Sequence, residues 1–135
     1  MEYREAKNEL KNYTKLKKRL ERLTDRECEL TEKINSAGGQ KITGLPSAHS
    51  KIHDLSDYVV ALEKIRVNKE KAQIEVSKIE TRVAVMQDDE LGEIIRLRYL
   101  KERCWSEVGN KFDRSESWAK HKNKEAIRAY AACQS

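Results

Sequence analysis

The chain has 135 residues, 38% of them charged and 38% hydrophobic, and 28 Lys and Arg against 23 Asp and Glu give a net charge of +5. That length allows one domain or two small ones, and a composition this charged, with β-branched residues not gathered into strands, points to an all-α fold of long amphipathic helices. The mild basic excess permits a nucleic-acid partner without establishing one.

From Tyr3 to Ile34 the apolar positions are Tyr3, Ala6, Leu10, Tyr13, Leu16, Leu20, Leu23, Leu30 and Ile34. Recurrent spacings of three and four predict one long helix with a narrow, coiled-coil-like stripe, broken at Glu27. Lys15-Leu16-Lys17-Lys18-Arg19 is a local basic run, read first as a solvated face and second as an auxiliary phosphate contact. Ser36-Ala37-Gly38-Gly39 is expected to end this helix, with a loop over about 36–52. His49, His53 and Asp57 are four apart, a weak metal signal beside the plainer reading of polar residues at a helix start.

The second long helix has the most regular stripe of the chain. Leu55, Tyr58, Leu62, Ile65, Lys69, Ala72, Val76, Ile79, Val83 and Met86 follow 3-4 spacing, so a coiled-coil seam is expected, with Lys69 as a register device or a snorkelling stem. Two long helices joined by a loop predict an antiparallel hairpin over residues 1–88. Val59, Ile74 and Val85 fall off the stripe, and a second copy of the chain is the economical cover for them. A homodimer or higher homo-oligomer is therefore expected.

Residues 89–135 read as a separate C-terminal domain of three helices. Asp88-Asp89 marks its start, where acidic groups suit a helix N-terminus. Leu91, Ile94, Ile95, Leu97 and Tyr99 give the first helix its apolar face, and Lys101-Glu102-Arg103 breaks it. Trp105–Phe112 is a short second helix with Val108, Phe112 and Trp105 inward and Gly109 at a close helix crossing. Asp113 with Glu116 has capping-box spacing, and Ser115 is a second candidate cap for the third helix, Ser115–Tyr130. Ala119, Ala126, Ile127 and Tyr130 define the packed side of that helix. The opposite side presents Glu116, Ser117, Lys120, His121 and Lys124, hydrogen-bonding and cationic groups suited to base edges in a DNA groove. Between Arg114 and Arg128 the bases Arg114, Lys120, Lys122, Lys124 and Arg128 outnumber Glu116 and Glu125.

Here the chain resembles region 4 of bacterial sigma factors, through Ile94-Ile95-Arg96-Leu97-Arg98-Tyr99, Glu107-Val108-Gly109, Phe112, Ser115 and Ala126-Ile127. With its helical N-terminal half it is similar to the ArpU/RinA group of phage and prophage late-gene regulators. The resemblance implies a helix-turn-helix that binds promoter double-stranded DNA, with Glu116, Ser117, Lys120 and His121 at base edges or backbone. The chain departs from the pattern at Lys122, where an aliphatic residue is usual, and at Arg114, which replaces a turn hydrophobe. Trp118 either packs on the first helix of the domain or lies exposed and touches sugar or a thymine methyl. Arg114, Lys120, Lys122 and Lys124 are expected on phosphates.

A sequence-specific transcription regulator is thus the leading expectation. The alternatives are a phage terminase small subunit, which would form a ring, and an RNA polymerase-binding adaptor that never reads DNA alone. No glycine-rich phosphate loop or acid–base constellation indicates an enzyme, and no cofactor or metal is expected. Cys28, Cys104 and Cys133 have no zinc or disulfide spacing, so Cys28 and Cys104 read as small core fillers in a reducing compartment. No apolar run approaches the roughly 20 residues of a membrane span, and no signal peptide is expected. The expected location is the cytoplasm of a bacterial host.

Overall fold

The computed structural model describes the backbone of residues 1–40 and 48–133, and the side chains of residues 1–36 and 55–133. Every regular element among them is helical: α1 (Tyr3–Gln40), α2 (Ala48–Ala84), α3 (Asp89–Ile95), α4 (Trp105–Lys111) and α5 (Glu116–Ala132). α3 runs on through Arg96–Leu100 as a wider turn, closed where the Lys101 amide donates to the Arg96 carbonyl at 2.9 Å. The all-α expectation holds. α1 does not stop at Ser36, however, and α2 begins before the expected end of the 36–52 connection. Each Gly in a helix costs only about 1 kcal/mol, so a Gly pair need not end one. The side chains of His49 and His53 lie outside the described residues.

Contacts group the chain into two units, residues 18–73 and residues 1–17 with 74–135. In the first, Leu62, Ile65 and Ala72 are buried, while Leu20, Leu23, Leu30 and Ile34 are half-buried. The two polar breaks in the stripes are partners. Lys69 donates to Glu27 at 3.1 Å, and the Arg66 Nε lies 3.4 Å from the other carboxylate oxygen. That hydrogen bond from Lys69 holds the Glu27 carboxyl below its ordinary range. Lys33 stands 5.5 Å from the Tyr58 ring centre. Cys28 is exposed, contrary to its expected role as a core filler, because it lies beside the stripe that Glu27 occupies.

The second unit holds the larger core. Ala6, Leu10 and Tyr13 of α1 and Val76, Ile79 and Val83 of α2 join Ile94 and Ile95 of α3, Val108 of α4, and Ala119, Ala126, Ile127 and Tyr130 of α5. The start of α1 thus shares one core with the last third of the chain, across the expected boundary at 88/89. Met86 is buried just beyond α2, and Asp88 caps α3 by accepting the Leu91 amide at 3.1 Å. Polar anchors ring this core. Glu9 Oε1 accepts from both Arg82 and the Tyr130 hydroxyl, each at 2.6 Å. Tyr13 donates to Glu80 at 2.8 Å. Burial and then the carboxylate acceptor push both phenols above the ordinary tyrosine range.

Trp105 is half-buried at the core's edge and not within it. The Arg98 guanidinium lies 4.5 Å over its ring and donates to the Arg103 carbonyl at 3.0 Å, so the indole keeps one face for a cation. Cys104, at the α4 N-cap, is exposed rather than a core filler.

Candidate nucleic-acid interface

The connection between α4 and α5 is built from main chain. The Asp113 amide donates to Asn110 at 3.1 Å and the Arg114 amide to Gly109 at 2.9 Å. With Asp113 at φ 55 between them, this is a Schellman ending. Asp113 therefore closes α4 and does not cap α5. An N-cap needs an extended backbone, which Asp113 lacks and Ser115 has, at φ −75 and ψ 162. The Ser115 hydroxyl accepts the Trp118 amide at 3.1 Å, so of the two candidate caps it is Ser115 that holds the role. Asp113→Gly tests the assignment: relieving the left-handed residue should raise stability by about 0.5 kcal/mol in thermal unfolding. A net loss would return Asp113 to a capping role.

Gly109 sets how closely the two helices meet. A Cβ built there would lie 2.7 Å from the Ser115 carbonyl oxygen and 2.8 Å from that of Arg114. Both are backbone atoms that cannot swing aside.

α5 packs on α3 and α4, and Ala119, Ala126, Ile127 and Tyr130 are the buried face that the spacing predicted. Glu116, Ser117, Lys120, His121 and Lys124 all lie exposed on the other side, with Arg128 following. Lys120 is 3.4 Å from Glu116, an exposed pair one turn apart that costs little to separate. Arg114 is also exposed, and its guanidinium sits 5.7 Å from the Trp118 ring centre.

Trp118 and Lys122 lie on the flank toward α4 rather than on the open face. Trp118 is half-buried, its ring 5.5 Å from Phe112 and tilted by 54°. Neither position foreseen for Trp118 includes Phe112 as the partner. Lys122 snorkels: it is half-buried, and its ammonium leaves the packed side to meet Glu125 at 3.2 Å. The outward set is thus Arg114, Glu116, Ser117, Lys120, His121 and Lys124.

Spacing could not reveal Asn123, whose side-chain oxygen accepts the Tyr99 hydroxyl at 3.1 Å. The Glu9–Arg82–Tyr130 anchor was equally hidden, because its members come from three distant segments. Among the described residues no three His, Cys, Asp or Glu side chains gather into a metal site, and no helix is long and apolar enough to cross a membrane.

The geometry defines an all-helical protein that presents a mostly cationic, hydrogen-bonding helix flank on a firmly packed base. No family model, curated protein or solved structure matches the chain.

Proposed function

We propose that the protein is a sequence-specific DNA-binding transcription regulator of the phage or prophage type, and not an enzyme. α4, the turn and α5 act as a helix-turn-helix whose α5 enters the major groove. The observation that carries this reading is the uncovered flank of α5. Ser117, Lys120, His121 and Lys124 share one open face, and among the described residues neither His121 nor Lys124 has a hydrogen-bond or ion-pair partner. Ser117 and His121, with Glu116 accepting from a cytosine amino group, read base edges; Arg114, Lys120 and Lys124 hold phosphates. Lys122 joins them by exchanging Glu125 for a phosphate, and Trp118 positions Arg114 beside the backbone.

Residues 1–88 serve as the handle. Their reading as an antiparallel hairpin draws support from the order of the pairings: Glu27 with Lys69 and Lys33 with Tyr58 in one unit, Glu9 with Arg82 and Tyr13 with Glu80 in the other. Val60, Val67 and Ile74 are exposed at intervals of seven along α2, and Val59 and Val85 are exposed too. A second copy covers this surface and supplies the second half-site that so small a reader needs.

The test is DNA affinity against salt for Lys120→Ala with Lys124→Ala, alongside the mass of the protein in solution. Each phosphate contact contributes about 0.9 to the salt slope, or roughly eightfold in affinity at 0.1 M relative to 1 M salt. The double variant should lose about two units of slope and bind every sequence more weakly. An unchanged slope removes the assignment. A ring-sized mass favours the terminase reading, and polymerase capture without DNA binding at low salt favours the adaptor.

A further inference from the structure

Beside α5 lies an open, largely polar cleft of about 470 Å³ whose lining includes Lys7, Lys11, Thr14, Arg98, Asn123 and Glu102. Three cations thus face one acid, which is not the balance of a surface that neutralises itself. Lys7 and Lys11 are one turn apart on α1, on the same side of the helix. Among the described residues neither makes a hydrogen bond or an ion pair. Arg98 is held in place by Trp105 and by the Arg103 carbonyl, so its charge is already positioned.

The cleft reaches α5 through one residue. Asn123 lines it, and Lys120 precedes Asn123 by one turn at the edge of that flank. Asn123 is fixed in turn by the Tyr99 hydroxyl, which leaves its amide group free to donate. Cations with no acid partner, a fixed guanidinium and amide and hydroxyl groups together match a phosphodiester. Leu10, Tyr99 and Trp105 complete the lining, and a cationic ligand would meet three like charges against one acid.

We propose that Lys7, Lys11 and Arg98 bind backbone phosphates of the same DNA whose groove α5 enters, so that the start of α1 is part of the DNA-binding surface. This rests on the DNA-binding reading of α5 and extends it to a segment outside the helix-turn-helix. Such contacts set register and affinity and carry no sequence information.

The experiment compares the full chain with Lys7→Ala/Lys11→Ala, Lys7→Arg/Lys11→Arg and Lys120→Ala/Lys124→Ala, using a labelled mixed-sequence duplex over a range of salt. Arg98 is left alone because it also braces the turn after α3. The Ala pair at 7 and 11 should lower the salt slope by about two units and weaken binding many-fold at low salt. The Arg pair should keep both, and thermal unfolding should be nearly unchanged in each. If the wild-type chain binds and the Lys120/Lys124 variant weakens while Lys7→Ala/Lys11→Ala binds like wild type, this proposal falls and the reading of α5 stands. If the wild-type chain binds no duplex at low salt, both fall together. Loss of polymerase capture in Lys7→Ala/Lys11→Ala, with DNA binding intact, would assign the cleft to an acidic protein surface and also overturn the proposal.

Discussion

Gly109→Ala should destabilise the protein by about 3 kcal/mol, lowering its melting temperature by roughly 10 °C. The added methyl would meet the Ser115 and Arg114 carbonyl oxygens at 2.7 and 2.8 Å. Relief requires the first turn of α5 to back away from α4. That movement breaks the 2.9 Å bond from the Arg114 amide to the Gly109 carbonyl and loosens Ser115 at the N-cap. The same displacement would tilt Ser117, Lys120 and His121, so under the DNA-binding proposal the affinity for DNA, at a temperature where the variant is still folded, should fall as well. Thermal unfolding followed by circular dichroism gives the first quantity and a binding isotherm the second. A melting temperature within a degree or two of wild type would mean that the turn yields, and that the α4–α5 angle is not fixed at this point.

The second large effect is expected at Glu9. Its Oε1 receives both the Arg82 guanidinium and the Tyr130 hydroxyl, and the Arg82 Nε is already buried without a partner. In Glu9→Ala a guanidinium with a side chain only 20% exposed loses its counter-charge, and a fully buried phenol loses its acceptor. Each orphaned group costs about 1–3 kcal/mol. Allowing for the water that still reaches Arg82, the loss should be about 2–3 kcal/mol. Tyr130→Phe removes one bond and leaves the ion pair, so its loss should be about 1 kcal/mol. Denaturant unfolding of the two variants distinguishes the cases, and equal losses would show that the carboxylate matters only to Tyr130.

Much of the helical framework was legible because each stripe repeats at the helical period. Ala119, Ala126, Ile127 and Tyr130 could be placed on one side of α5 from spacing alone, and the open flank followed by exclusion. Periodicity identifies the stripe but not what lies across from it. Glu27 and Lys69 each looked like a defect in its own seam, and only their pairing at 3.1 Å explains both. The same holds for Glu9, Arg82 and Tyr130, whose separations of 73 and 121 residues leave no local signature. Asp113 is ambiguous in sequence for another reason. Asp favours both N-caps and left-handed turns, and the side-chain pattern cannot choose between them without the backbone angle. Residue type alone places Trp105 and Cys104 inward, yet the chain enters α4 at the surface.

The α4–α5 connection is held by amide–carbonyl bonds and one glycine, with none of the outward side chains of α5 contributing to it except through Ser115. Positions 117, 120, 121 and 124 are therefore decoupled from the scaffold that carries them. Under the DNA-reading proposal, a lineage could exchange those four residues to follow a drifting operator while its melting behaviour stayed the same. The chemical vocabulary of α5 would then evolve faster than its architecture.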